Sequence, residues 1–281
     1  MPPLASQIEE LFANSPENYT EEHFKLFAEF KEALNRGKVR AAEPDGSAAT
    51  GWRLNAWVKK GILLGFRMGT TVEMGPYPAR QTFLDKSTYP VKTFTKESGV
   101  RIVPGGSSIR DGSYVGRGVI CMPPMFINVG AYVGEDTMVD SHALIGSCAQ
   151  IGKGCHISAG AQIGGVLEPV GAMPVIIEDE VMVGGNCGVY EGTIVKRRAV
   201  LGTGTILNRS TPVYDLAREK MYAAQDEEPL VIPEGAVVVP GSRALTHSAG
   251  EKWGLSVYAA VIVKYRDAKT DARLQAEDLL R

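Results

Sequence analysis

The sequence has few of the features that direct a protein to membranes or nucleic acids. It contains no apolar run of about 18 residues or more, so we predict no transmembrane helix. Its first residues, MPPLASQIEELF, lack the basic and apolar segments of a secretory signal. The 30 Lys and Arg are balanced by 32 Asp and Glu, which leaves no excess of positive charge for nucleic acid or anionic lipid. We therefore expect a cytoplasmic protein that binds neither.

Cysteine is also scarce, and its spacing argues against a disulfide framework. The four cysteines contain no CxxC pair, so we expect free thiols in the core of an intracellular protein. A zinc site is the alternative. The cysteines are Cys121, Cys148, Cys155 and Cys187.

Glycine is in excess, and it accompanies a six-residue repeat. It supplies 32 of the 281 residues, about 11% where about 7% is usual. An aliphatic residue returns at every sixth position, with Cys121 as the one exception. The first run is Val103, Ile109, Val115, Cys121, Ile127, Val133, Val139, Ile145, Ile151, Ile157 and Ile163. The second run is Ile177, Val183, Val189, Val195, Leu201, Leu207 and Val213.

Each repeat predicts one short strand and one corner. A small residue stands two positions before most of the aliphatic residues, as Thr137 does before Val139, and positions two apart share one face of a strand. Glycine often follows the aliphatic residue, as Gly134 and Gly146 do, and we expect it to permit a tight corner. Three strands close one coil of about 18 residues, and about six coils stack into a three-sided prism, a parallel β-helix. The period does not determine the handedness of the coil.

The N-terminal part has a helical pattern. Residues 1–100 predict a helical N-terminal domain and a linker. Thr20 is the expected N-cap of a helix whose apolar stripe runs from Phe24 to Leu34. A shorter helix precedes it, and LNAWVKKGILLGF predicts a third.

The repeat region has two interruptions and a C-terminal cap. Residues 101–241 predict the β-helix, with loop insertions near 164–176 and 214–231, and loops on a rigid scaffold are favoured places for substrate contacts. Residues 242–281 contain an alternating strand, KWGLSVYAAVIVKYRD, and a terminal helix, TDARLQAEDLLR. We expect this cap to cover the open edge of the sheets.

Asp140 is the first candidate for chemistry. It occupies the corner after Val139, where an Asp either bonds its own turn or forms a rigidly held carboxylate that orients or deprotonates an amine. His142 and His156 are the histidines of the repeat, either surface residues or bases for acyl transfer. A zinc anhydrase built on such repeats needs three converging imidazoles, which two histidines do not supply. The basic corner 196–198 is either a solvated charge run or a ligand for the phosphates of a nucleotide-like carrier.

The motifs around Asp140 resemble those of a known family. The segments GAYV, TMVD, GSCAQIGK and GGVLEP, with the helical N-terminus and the ending VYAAVIVKYRDAKT, are similar to the tetrahydrodipicolinate N-succinyltransferases over nearly the whole chain. The resemblance implies a left-handed β-helix and a homotrimer with active sites between neighbouring prisms. It also implies succinyl transfer from succinyl-CoA to the amine of a ring-opened or hydrated dicarboxylate, in lysine and diaminopimelate biosynthesis. Succinyl-CoA is then a co-substrate, and no cofactor is tightly bound.

The resemblance further implies roles for individual residues. Asp140 matches a substrate-binding, base-like residue of the family, and Arg101 in VRIVP matches a ligand of the substrate carboxylate, which a guanidinium fork suits. Glu191 is a nearby substrate-binding candidate, and backbone N–H groups near Gly204 are candidate oxyanion donors. The expected acyl-CoA contacts are Gly164, Gly165, Gly204, Arg209 and Lys264.

Three residues, in two places, depart from the family pattern. Ser141 and His142 replace the Thr-Trp that usually follows the aspartate, and Gly188 stands where a glutamate is common. One alternative activity is acetyl transfer from acetyl-CoA to the same or a similar amino dicarboxylate. A non-catalytic β-helix scaffold is the other alternative. The intact Asp140, Arg101 and GGVLEP segment favour the succinyltransferase.

Overall fold

The computed structural model describes residues 3–75, 82–226 and 228–267. Within these ranges the helices are α1 (Leu4–Ala13), α2 (Glu21–Asn35), α3 (Ala56–Met68) and α4 (Ser248–Lys252), with a 3₁₀ turn at Lys96–Ser98. Two short antiparallel hairpins accompany them, Ala42–Pro44 with Trp52–Leu54 and Thr71–Glu73 with Leu84–Lys86. None of the helices in the described ranges has both the length and the hydropathy of a membrane span.

Helix α2 begins where its capping residues predict. The backbone N–H of Thr20 donates to Nδ1 of His23 at 3.1 Å, so the first turn is held by a reciprocal cap. Phe27 and Phe30 are buried against apolar side chains of α1 and α3, as helical spacing predicts. Phe24 is 42% exposed, so the buried stripe starts one turn later than the sequence suggests.

The middle of the chain folds into three walls of parallel, mostly two-residue strands. The first wall contains Arg101–Ile102, Ile120–Cys121, Met138–Val139, His156–Ile157, Met182–Val183, Val200–Leu201 and the start of Ala236–Ala244. The second wall contains Ser108–Ile109, Phe126–Ile127, Leu144–Ile145, Gln162–Ile163, Gly188–Val189 and Ile206–Leu207. The third wall contains Tyr114–Val115, Tyr132–Val133, Gln150–Ile151, Ile176–Ile177, Ile194–Val195 and Val231–Ile232. The described chain passes through the three walls in this order six times, so the predicted stack of coils is confirmed.

The aliphatic residue of each repeat points into the prism. Ile127, Val133 and Val139 have no exposed surface and belong to one continuous core, which holds the coils together by apolar burial. The first coil differs from the predicted phase. Ile102, rather than Val103, pairs with Cys121, because the step between these strands is one residue longer than the usual repeat.

The glycines that follow the aliphatic residues allow adjacent coils to approach each other. A Cβ on Gly134 would lie 2.6 Å from the carbonyl carbon of Gly152 in the next coil. The left-handed corner position comes two residues later, and Asp136 occupies it with a φ of 58°. The expectation that Gly134 itself permits the corner was therefore wrong. Its hydrogen is needed because the backbones of stacked coils are too close for a side chain.

Replacing Gly134 with Ala is expected to lower the free energy of unfolding by about 3 kcal/mol, because the new Cβ would overlap backbone that cannot move aside. The matched change Gly154→Ala brings its Cβ no closer than 4.0 Å to the nearest side chain. It should cost only the left-handed strain of that corner, about 1 kcal/mol. Urea unfolding of both variants measures the difference, and equal losses would contradict the close-approach explanation.

A segment leaves the wall between Gln162–Ile163 and Ile176–Ile177, at the predicted interruption. The step from Gln162 to its partner Gly188 is 26 residues, whereas the step from Leu144 to Gln162 is 18. The segment is tied to the helical part of the molecule. Lys59 of α3 is fully buried, and its Nζ donates to the carbonyl oxygen of Ala172.

The C-terminal strands cover the last coil. The strands beyond the walls are Val213–Asp215, Lys220–Tyr222 and Ser256–Tyr265, the last of which forms a C-terminal hairpin with Ala236–Ala244. Val213, predicted as a coil position, instead pairs with Ala260 of this hairpin. The hydroxyl of Tyr258 accepts a hydrogen bond from the N–H of Ile206 at 2.7 Å, which satisfies a donor at the open end of the second wall. The predicted terminal helix lies outside the described residues.

Candidate active site

The outer face of the first wall carries a pocket. Strand register places one outward column along the wall: Arg101, Ile120, Met138, His156 and Met182. The residues two positions later share that face, and they include Met122, Asp140, Ser158 and Gly184. Members of both columns line a cavity of about 530 Å³, a size typical of small-molecule sites. Arg101 and Asp140, predicted separately, therefore lie in one pocket.

The carboxylate of Asp140 is held from two sides. The backbone N–H of Ser141 donates to Oδ1 at 2.7 Å, which is the turn bond that one interpretation of the sequence predicted. The other oxygen, Oδ2, lies 3.6 Å from Nε2 of His156. The Asp140 side chain keeps 28% of its surface exposed, so the carboxylate is anchored and also open to the pocket.

His156 stands on the next coil, diagonally across from Asp140. Its imidazole is 18% exposed and lines the same pocket. A separation of 3.6 Å is longer than an ordinary hydrogen bond and corresponds to an ion pair when the imidazole is protonated. The two side chains form an acid–base pair that a bound amine or thiolate can reach.

Arg101 enters the pocket from the N-terminal end of the wall. Its strand is two strand spacings from Met138, about 10 Å, which a guanidinium on a long flexible stem can span. If Arg101 pairs with an anionic group of a ligand, the neighbouring atoms of that ligand lie near Asp140.

Methionines and glycines form the apolar part of the pocket. Met122, Met138 and Met182 line it, and their flexible thioether chains adapt to ligands of irregular shape. A Cβ on Gly184 would lie 2.6 Å from the carbonyl oxygen of Leu201. Position 184 therefore has no room for a side chain, and no side chain at this position covers the pocket wall beside the methionines.

Four of the other predicted residues lie at a different edge of the prism. Gly164, Gly165, Glu191 and Arg209 occupy corners between the second and third walls. There Oε2 of Glu191 accepts a hydrogen bond from the backbone N–H of Arg209 at 2.8 Å. Within one chain the whole second wall separates these residues from Asp140, so a single chain does not bring the two groups together.

Gly204 and Lys264 occupy two further places. Gly204 is on the same edge as Asp140, and its neighbour Thr203 lines the pocket. The N–H of Gly204 donates to the carbonyl of the preceding coil at 2.9 Å, so this amide is not available as an oxyanion donor. Lys264 lies in the C-terminal hairpin opposite Val237, away from the pocket lining.

Tyr190 fills the space at the position where the family pattern has a glutamate. A Cβ on Gly188 would lie 2.5 Å from Cε2 of Tyr190. The ring also covers Gly164, whose Cβ would lie 2.9 Å from Cδ1 of Tyr190. A glutamate at position 188 therefore requires the tyrosine ring to move.

The Ser141–His142 departure changes a neighbouring groove rather than the pocket. His142 takes the left-handed corner with a φ of 61°. It lines a separate groove of about 330 Å³ on the second wall with Phe126 and Gln162. Ser141 contributes its backbone N–H to Asp140, a contact that any residue other than proline can make.

The thiols are part of the core. All four cysteines are buried and free, which confirms the prediction of core thiols. Burial raises the pKa of Cys121, Cys148 and Cys155 to about 12, so these groups stay protonated near neutral pH. In the part of the chain that the structure describes, no three His, Cys, Asp or Glu side chains come together as metal ligands.

His156 is the pocket residue whose partnership with Asp140 the motifs did not reveal. The spacing of the repeats along the sequence could have predicted this contact. Strands on one wall are 18 residues apart, as Met138 and His156 are, so a residue 16 positions after Asp140 lies diagonally beside it. The methionines had no comparable signal, because methionine is a common filler of apolar cores.

The three-walled coil with a pocket on its outer face is that of a hexapeptide-repeat transferase, built as a left-handed parallel β-helix, as matches to family models show. Residues 130–165 match the family model of the bacterial transferase hexapeptide (six repeats). Residues 174–209 match the hexapeptide repeat of succinyl-transferase, and residues 3–68 match the tetrahydrodipicolinate N-succinyltransferase N-terminal model.

Similar proteins identify the family within this class. The chain is 42% identical over 254 residues to the 2,3,4,5-tetrahydropyridine-2,6-dicarboxylate N-succinyltransferase of Polynucleobacter asymbioticus, covering 89% of this chain and 86% of the relative. It is 43% identical over 258 residues to the enzyme of the same name from Xylella fastidiosa, with the same coverage. The chain belongs to the tetrahydrodipicolinate N-succinyltransferase family.

Proposed function

We propose that the protein transfers a succinyl group from succinyl-CoA to the amine of tetrahydrodipicolinate in its ring-opened or hydrated form. The observation that carries this proposal is the joint position of Arg101 and Asp140 in one pocket. The names of the relatives support the same reaction. The step belongs to lysine and diaminopimelate biosynthesis, and a CoA thioester co-substrate supports a cytoplasmic location.

The proposed chemistry uses the acid–base pair of the pocket. The amine nitrogen attacks the thioester carbonyl carbon, a C–N bond forms, and the nitrogen loses a proton to the Asp140 carboxylate. The C–S bond then breaks, and the CoA thiolate takes up a proton, for which the imidazole of His156 is placed. Arg101 holds a carboxylate of the acceptor. The rigid walls supply the orientation that makes the attack effectively intramolecular.

We infer that the active unit is a homotrimer. The residues expected at acyl-CoA lie mostly at the far edge of the second wall, so a neighbouring chain has to bring that edge to the Asp140 pocket. The outward face of the second wall carries Phe126, Leu144 and Ile206. Near the C-terminal hairpin, Trp253 is 67% exposed and Met221 is 60% exposed. Apolar side chains in such positions support an interface between copies, and sedimentation equilibrium tests the stoichiometry.

The preferred acyl donor distinguishes the proposed succinyl transfer from the acetyl-transfer alternative. Succinyl-CoA is expected to support acceptor-dependent thiol release with a kcat/KM about 100-fold above that of acetyl-CoA, since a site that pairs with the succinyl carboxylate is left unpaired by acetyl. The control omits the acceptor and measures hydrolysis alone. A preference for acetyl-CoA would identify the acetyl-transfer alternative. Absence of binding to either thioester would support the scaffold alternative.

A further inference from the structure

A second pocket lies on a different wall of the prism, between the Ala42–Pro44/Trp52–Leu54 hairpin and the third wall. Its volume is about 340 Å³, enough for a small organic molecule. Its lining includes Arg40, Trp52, Tyr132 and Lys153. It shares no lining residue with the Asp140 pocket, so the reaction proposed above does not account for it.

Arg40 is the unusual group of this pocket. Its guanidinium carbon lies 3.7 Å from the centre of the Tyr132 ring and 5.5 Å from that of Trp52. Its Nε donates to Oε1 of Gln150 at 2.9 Å. Burial lowers the pKa of Arg40, while Tyr132 and nearby carboxylates act in the opposite direction.

The other cations of the pocket are paired with carboxylates. Lys196 Nζ lies 2.8 Å from Oε1 of Glu178, a carboxylate that also accepts from the indole N–H of Trp52 at 2.8 Å. The remaining two pairs are Lys153 with Glu135 at 3.1 Å and Arg197 with Glu180 at 2.9 Å. Among the described residues, none of the ion pairs includes Arg40.

This arrangement fits a particular class of ligand. The paired side chains hold the hairpin against the wall, so the pocket is formed in advance. Arg40 makes no direct ion pair among the described residues, although carboxylates farther away, that of Asp179 in the pocket lining among them, act on its charge. Its planar fork matches a carboxylate. The apolar part of the lining is formed by Pro44, Trp52 and two glycines that bear no side chain, and the carboxylates of Glu178 and Asp179 lie beside it. A partly desolvated cation next to apolar walls gains most from an anion with an apolar body.

We propose that this pocket binds a small organic carboxylate, whose carboxylate group pairs with Arg40 while its apolar part lies against Trp52 and Pro44. An occupant contacts both the hairpin and the third wall, so binding stabilises the attachment of the N-terminal part to the prism.

Salicylate, its neutral analogue salicylamide, and inorganic phosphate serve as probes, with calorimetry and tryptophan fluorescence as readouts on the intact protein. Salicylate is expected to saturate the pocket below about 1 mM and to bind at least about tenfold more tightly than salicylamide. This comparison uses the wild-type protein and is independent of any variant. Equal binding of the two, or binding of phosphate as tight as that of salicylate, would overturn the carboxylate assignment.

Two arginine variants locate the site. Arg40→Lys keeps the charge but loses the planar fork, and it should weaken salicylate binding at least about tenfold. The matched variant Arg101→Lys changes the other pocket and should leave salicylate affinity unchanged. If Arg101→Lys removes binding while Arg40→Lys retains it, the probe occupies the Asp140 pocket and the proposal is wrong. This outcome would leave the proposed succinyl transfer untouched.

Discussion

Replacing Asp140 with Asn is expected to lower kcat for succinyl transfer by about 10²–10⁴-fold while the protein still folds and assembles. The amide oxygen can still accept the N–H of Ser141, so the corner keeps its turn bond. The amide cannot take up the proton that the acceptor amine loses when the C–N bond forms. Acceptor-dependent release of the CoA thiol, followed at saturating substrates, measures the loss.

Asp136→Asn is the matched control for this change. Asp136 occupies the corner at the other edge of the first wall, with a φ of 58°, and it does not line the pocket. Asn tolerates the left-handed region, so this variant should keep turnover within about twofold of the wild type. Near-normal turnover of the Asp140 variant, with the same sedimentation as the control, would show that Asp140 is not the base.

The free energy of unfolding is expected to fall steeply above pH 9, because three buried thiols resist ionisation in the folded protein. Burial raises the pKa of Cys121, Cys148 and Cys155 from 9.0 to about 12. A pKa that is higher in the folded state contributes stability that is complete below the unfolded pKa and disappears as the pH rises toward the folded value. Each thiol then costs about 1.4 kcal/mol per pH unit, so three thiols together cost about 4 kcal/mol per unit.

Urea unfolding across the interval from about pH 8 to about pH 11 measures this slope. Cys121→Ala is the informative variant, because burial is the cause of the shift at that thiol. The variant should be less stable than the wild type at pH 8, owing to the lost sulfur packing. Its alkaline slope should nevertheless be shallower by about 1.4 kcal/mol per pH unit, the share of one thiol. An unchanged slope would show that the thiols already ionise in the folded state.

The sequence alone predicts part of the candidate site. Asp140 and Arg101 stood out because the residues around them resemble family motifs, and the structure lines one pocket with both. The sequence offers His156 as a candidate base but does not pair it with Asp140, since their contact depends on coil register. The sequence offers Glu191 as a candidate second carboxylate, yet within the chain its Oε2 accepts a hydrogen bond from the backbone N–H of Arg209 at another edge.

The six-residue period was sufficient to specify the three-walled coil. Strand, corner and inward side chain are decided within a few residues of each other, so a local pattern is enough to define them. The same holds for the amphipathic spacing of the N-terminal helices, apart from the exposed Phe24.

Features that depend on distances between coils could not be obtained from the period. The close approach at Gly134, the ring of Tyr190 over Gly188 and the position of Arg40 over the Tyr132 ring all involve residues brought together by stacking or by docking of the hairpin. The 32 glycines show the difference most clearly. Composition marked them as an excess, but only the packed coils distinguish glycines required by backbone contact from those required by a left-handed corner, because one constraint is non-local and the other is local.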